Sequence, residues 1–200
     1  MKIAVCITGQ IRSWERIKDN IIENIIRDNT DVFFVCDEDL SISNIEHEII
    51  KDEQSFYDES ILEQFNSRKG EGTSVKNGLN MFYKIMKCNH LKIKHENKHN
   101  FKYDTVVRLR TDTTFQKPLI FLEDKDKIFT PHNCVGGYVC DQFAYGSSDL
   151  MDKFCDVFPN IKKYFDEGCK FHPETLLEYH CKKLDLNIVR EDIGFSGIVR

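Results

Sequence analysis

The chain has 200 residues, 40% of them hydrophobic and 30% charged, with a formal net charge of −5. That length suits one domain with an ample buried core, and the acidic balance argues against nucleic acid as a main partner. No stretch has the apolar length of a membrane span, and the apolar run after Met1 is too short for a signal peptide, so a cytoplasmic protein is expected.

In chain order, residues 2–8 read as a fully buried strand, too short and too β-branched for a helix. The loop Gly9-Gln10-Ile11-Arg12-Ser13 follows. A helix is expected over 14–28, with Ile17, Ile21, Ile22, Ile25 and Ile26 on one face. Residues 31–36 form a second buried strand ended by Asp37-Glu38-Asp39. This β-α-β opening predicts parallel first and second strands. Residues 40–72 are polar and weakly periodic, with Ile42, Ile45, Ile49 and Ile50 placed in a short helix and strand. Arg68 to Thr73 is the most loop-like segment.

Ser74 looks like an N-cap opening a helix through Met86, and 90–100 reads as a basic, hydrated connector. The strand that ends at Asp112 comes next. A Pro118 turn, a strand over 127–130 and a glycine turn at Gly136-Gly137 follow. Later elements are a short strand over 141–146, a helix over 150–158, a helix over 173–184 opened by Pro173, and a strand over 187–190. Strand–helix alternation that gives way to strands predicts a single α/β domain, a three-layer α/β/α sandwich on a mixed sheet. Residues 1–112 would form a nucleotide-binding half and 113–200 an acceptor half. Oligomeric state is not legible.

The eight cysteines include no Cys-x-x-Cys pair. Cys6 and Cys36 lie in apolar runs, where a thiol acts as a small hydrophobe, and reduced cysteines are expected in the cytoplasm. Cys169, His172, His180 and Cys181 lack the spacing of a zinc finger, and His180 and Cys181 point apart on a helix, so structural roles are expected for them.

The most informative stretch runs Tyr103-Asp-Thr-Val-Val-Arg-Leu-Arg-Thr-Asp-Thr-Thr-Phe115. A buried run ending in a carboxylate is costly unless the acid meets a cation or water, and that edge of an open α/β sheet is where ligands bind. Asp112 is therefore a candidate metal ligand, beside a phosphate-bearing substrate. Arg108, Arg110 and Asp112 alternate on one strand face, which fits either a phosphate clamp or a structural ion pair. In the first loop, Gly9 permits close backbone approach to a ligand and Arg12 offers a planar fork to a diphosphate. An ordinary βα turn with a solvated arginine explains them equally well. Asp37 is a candidate contact to a ribose or base edge. Asp124 and Asp126 form a literal Asp-x-Asp, but at an exposed turn. Asp141 and Glu174 are candidate bases, although a carboxylate at a helix start such as Glu174 is also a common dipole effect.

The opening Met1-Lys-Ile-Ala-Val-Cys-Ile-Thr-Gly-Gln-Ile-Arg-Ser-Trp14, the stretch ending at Asp112, Asp141-Gln142-Phe143-Ala144-Tyr145-Gly146 and His172-Pro173-Glu174 together resemble small GT-A-type glycosyltransferases, including those of large DNA viruses. The resemblance implies a GT-A-like, Rossmann-related fold with a mainly parallel sheet. It implies transfer of a sugar from a nucleotide diphosphate sugar to a glycan or glycoprotein hydroxyl. Thr8, Gly9, Gln10 and Arg12 would contact the nucleotide, and Mn²⁺ or Mg²⁺ would bridge Asp112 and the diphosphate. Arg110 stands where that family has the first acid of its Asp-x-Asp motif, which puts the metal in question. Two other readings remain open: a non-catalytic nucleotide-sugar or glycan-binding module, and a nucleotidyltransferase.

Overall fold

The structure, a computed structural model, describes residues 1–38, 46–51, 56–133 and 138–199. Strand β1 (Ile3–Gly9) shows the pleat at once: Ile3, Val5 and Ile7 enter one core, Ala4 and Cys6 the other. A 3₁₀ turn (Ile11–Ser13) leads into α1 (Trp14–Ile25). Trp14, Ile17, Ile21 and Ile25 recur at helical spacing and bury against the Ile3–Val5–Ile7 face. Ile22 falls outside that narrow stripe and is 52% exposed, contrary to expectation. The helix also stops short of residue 28, because Ile26 is already extended.

Strand β2 (Thr30–Cys36) returns parallel to β1, with Val5 opposite Val32, as the β-α-β pattern predicts. Strand β3 (Glu46–Ile49) adds outside it in parallel and carries Ile49. Ile42, Ile45 and the Gly136-Gly137 turn lie outside the described residues. Helix α2 (Glu59–Ser67), not expected from the sequence, precedes α3 (Val75–His99). Ser74 caps α3 by accepting from the Asn77 amide at 3.3 Å.

The predicted connector over 90–100 is a correction. Helix α3 continues to His99 and ends at Asn100 in the left-handed region. Two of the charges that read as solvated are internal. Lys92 and Glu96 are 0% and 1% exposed and pair at 3.0 Å. The Lys92 ammonium also donates to Ser148 and Asp152, each at 2.6 Å, and Glu96 accepts from the Tyr103 amide at 3.0 Å.

Strand β4 (Thr105–Arg110) then enters beside β1, in parallel. The remaining elements are β5 (Thr113–Phe115), β6 (Ile128–Pro131), β7 (Phe143–Gly146), α4 (Ser148–Phe154), α5 (Ile161–Asp166), α6 (Pro173–Lys183), β8 (Ile188–Glu191) and β9 (Phe195–Ile198). Helix α4 ends earlier than expected, and α5 and β9 were not expected. The main sheet has seven strands in the order β3-β2-β1-β4-β7-β6-β8. Strand β7 is antiparallel to both neighbours, and the other pairs are parallel. The fold is thus α/β on a mixed, mainly parallel sheet. Its three layers set α1 and the antiparallel β5–β9 ribbon on one face, and α3 to α6 on the other. Among the described residues, no helix is long and apolar enough to cross a membrane.

Cys169 and Cys181 belong to the core, and both ring nitrogens of His180 are engaged. Nε2 donates to the Lys153 carbonyl at 2.7 Å, and Nδ1 accepts from the Tyr164 hydroxyl at 2.8 Å. The expectation of reduced cysteines fails at Cys140, which is disulfide-bonded. Apolar neighbours reveal that a thiol is buried, not whether a second thiol lies within bonding reach.

The internal ion pair gives a stability prediction. Burial works against the Glu96 carboxylate, but its bonds to Ser148, Tyr103 and Lys92 outweigh that and hold its pKa below the usual 4.5. A depressed folded pKa contributes stability above the unfolded value and loses it as pH falls through the folded value. Lys92→Met leaves Glu96 buried with only Lys102 as a cationic partner, at 3.3 Å, and is expected to cost roughly 3 kcal/mol, the low end for a broken buried pair. Urea unfolding at pH 7 measures this cost, and Glu96→Gln is expected to lose its penalty toward pH 3.

Candidate functional site

Strands β1 and β4 are parallel neighbours, yet the chain leaves them in opposite directions across the sheet: β2 and β3 lie beyond β1, and β7 lies beyond β4. Helices α1 and α3 pack on opposite faces. This is a topological switch point, where a crevice opens outside the carboxyl ends of the strands. The register sets Thr8 opposite Arg110 at that edge. A cavity of about 620 Å³ fills the crevice. Its floor is Thr8, Gly9 and Gln10 from the end of β1 and Arg110, Thr111 and Asp112 from the end of β4. Gly9 sits at φ 147, and any Cβ there would run into the Thr111 hydroxyl oxygen. That hydroxyl donates to the Gln10 carbonyl at 2.6 Å and ties the two strand ends together.

The pleat explains the arginines. Val106 faces the α3 side of the sheet, so Arg108 and Arg110 point the same way. Arg110, at the edge, reaches the cavity, whereas Arg108 lies deeper and is 1% exposed. Strand β4 ends at Arg110, and Asp112 follows in a turn. There Arg110 holds Asp112 in a two-point pair, Nε to Oδ1 at 2.8 Å and Nη2 to Oδ2 at 2.7 Å. Burial works against the Arg110 charge, but the bond to Asp112 outweighs it and raises the guanidinium pKa. Asp112 is 5% exposed.

This geometry does not fit a divalent cation. Both Asp112 oxygens already accept from a guanidinium. The guanidinium already neutralises the Asp112 charge, so a cation beside the pair finds little net attraction there. Among the described residues, no group of three or more His, Cys, Asp or Glu is arranged to hold a metal.

The structure brings Thr8, Gly9, Gln10, Arg12, Arg110, Asp112 and Asp141 to one cavity. Arg12 is exposed there and has no acidic partner among the described residues. Asp141 acts electrostatically on Arg108, Arg110 and Glu174 alike, so it lies among them. Three predicted residues do not line the cavity. Arg108 donates to the Asp141 carbonyl, while its Nε and Nη2 find no partner among the described residues. Burial pushes its pKa down to about 10, so it remains charged at neutral pH. Asp37 accepts from the Ile11 amide at 3.1 Å and braces the β1–α1 loop. Glu174 stands one residue past Pro173, and burial first, then Asp141, raises its pKa. Asp124 pairs with Lys127 at 2.6 Å and lines a separate depression.

A family model, Domain of unknown function (DUF7796), matches residues 1–150. The chain belongs to this family. The DUF7796 span contains every described cavity residue except His172 and Pro173. No curated protein matches the chain.

Helix α3 supplies the wall that the sequence reading missed. Asn77, Asn80, Met81 and Lys84 line the cavity, and Lys84 is only 2% exposed. Their i, i+3, i+4, i+7 spacing marks one helix face, but polar residues recur all around this helix, so the face carried no distinct signal. The loop over 68–73 closes the far side. It is tied to Phe171 by backbone bonds of 3.0 and 3.2 Å, and the His172 ring packs on Gly70.

The strand-end contact is directly testable. Gly9→Ala combines a positive φ with a clash against Thr111, and is expected to cost about 1–3 kcal/mol. Thermal unfolding checks the cost. Gly197→Ala is also at positive φ but has open space around it, so it is expected to cost less.

Proposed function

We propose that the chain is a glycosyltransferase that binds a nucleotide diphosphate sugar in the β1–β4 cavity and transfers the sugar to a hydroxyl of a glycan or glycoprotein. The observation that carries this reading is the cavity itself. It lies at the switch point of the sheet, and the residues that the family resemblance assigns to the nucleotide gather there. Its volume falls within the range of small-ligand sites.

In this reading the diphosphate lies toward Arg12 and Arg110, and the anomeric carbon toward Asp141. The acceptor oxygen forms its bond to the anomeric carbon. The bond from that carbon to the β-phosphate oxygen breaks, and its electron pair leaves with the nucleoside diphosphate. Where the reaction inverts the anomeric centre, the hydroxyl proton passes to a carboxylate. Of the cavity carboxylates Asp141 is the one proposed as base: Asp112 is committed to Arg110, whereas Asp141 is 8% exposed and held through its own carbonyl by Arg108. Glu174 lies outside the lining, and the neighbouring Asp141 charge adds to burial in raising its pKa.

The closed Arg110–Asp112 pair favours one second reading, a module that binds the nucleotide sugar without turning it over. Calorimetry with nucleotide sugars, followed by an assay for released nucleoside diphosphate, separates the two. The glycosyltransferase reading predicts binding and release. Binding without release on any acceptor supports the module, and no binding rejects both. Asp141→Asn is expected to lower turnover by roughly a hundredfold or more with donor affinity retained. Unchanged turnover removes Asp141 from the role of base.

A further inference from the structure

We propose that the cavity holds its diphosphate without a divalent cation, with Arg110 as the phosphate-binding group and Asp112 as the residue that positions it. The inference rests on reading the cavity as a nucleotide-sugar site.

The two-point pair occupies Nε and Nη2 of Arg110. Nη1 has no partner among the described residues, although the side chain is only 26% exposed. The guanidinium is thus locked along one edge and open along another. A planar fork fixed in this way suits phosphate oxygens, and little ordering cost remains when a ligand arrives. Asp112 does to Arg110 what an outer carboxylate does to a metal-bound histidine: it fixes orientation.

Further positive charge surrounds this group. Arg12 is exposed at the same cavity, and Lys84 is buried in its α3 wall. Arg108 lies beneath, on the same strand face, and two of its donors are orphaned among the described residues. Asp112 and Asp141 already act on Arg108 and Arg110, so the exposed Arg12 and the open edge of Arg110 are the groups placed to meet a further anion. A ligand diphosphate is such an anion. A divalent cation at Asp112 would add to the positive charge instead.

The test uses isothermal titration of the full chain with uridine, guanosine, adenosine and cytidine diphosphates and the matching nucleosides. Each is measured in EDTA and again in Mn²⁺. The expected result is that at least one diphosphate binds, with affinities in the two buffers that agree within about threefold. Arg110→Lys keeps the charge but loses the fork. It is expected to weaken diphosphate binding at least roughly tenfold and to leave nucleoside binding unchanged. Asp112→Asn keeps one acceptor for the guanidinium and is expected to give a smaller loss, again confined to the diphosphate.

Binding that appears only with Mn²⁺ overturns the inference and leaves the proposed function standing. Unchanged diphosphate affinity in Arg110→Lys removes Arg110 from the role. Failure of every diphosphate to bind in either buffer overturns both the inference and the reading beneath it.

Discussion

Strands β1 and β4 run side by side and stop at the same edge, and the candidate site follows from that one constraint. Their register brings Thr8 to Arg110, and the pleat turns Arg110 toward α3. The chain then leaves in opposite directions, α1 packing below the sheet edge and α3 above it. Backbone does not fill the gap between the diverging loops, and a cavity lined by side chains opens there. Gly9 lets the two strand ends touch at Thr111, and the floor of the cavity is set by that contact.

Helix α3 carries this constraint through the molecule. At 25 residues it is roughly 37 Å long. Its first half faces the cavity with Asn77, Asn80 and Lys84. Its second half is pinned by Lys92 and Glu96 to Ser148, Asp152 and the start of β4. A buried ionic network is costly to form and costly to break. Here it joins the helix to the strand that ends in the site, so wall and floor are held by one set of bonds. The cavity end of the helix lines the cavity with polar side chains, and Lys92 and Glu96 pair internally toward the far end.

What could be read from the sequence was local. Apolar runs of strand length placed β1, β2 and β4, and the acid after such a run, Asp112, lies at the cavity edge of the sheet. Ser74 and Pro173 marked helix starts. What could not be read depended on partners distant in sequence. Residues 90–100 carry lysines and histidines that look solvated, and most are; Lys92 and Glu96 are buried by contacts with Ser148, Asp152 and Tyr103, which are distant in sequence. Arg108 and Arg110 share a face, but depth along the strand separates a core arginine from a cavity arginine. The Arg110–Asp112 pair requires β4 to end before Asp112, a boundary that β-branched Thr111 and Thr113 conceal. Helix α5 and strand β9 are short and take their stability from packing on α6 and pairing with β5, so neither carries a strong pattern of its own.

In the reading proposed here, the switch-point cavity receives a nucleoside diphosphate on Arg110. A crystal structure of the chain soaked with the nucleotide sugar that binds best tests this most directly. Diphosphate density against Arg110, with Asp112 still bonded to Nε and Nη2, is the expected result. Ligand density elsewhere on the molecule, or a metal ion seated on Asp112 between the carboxylate and the phosphates, contradicts it.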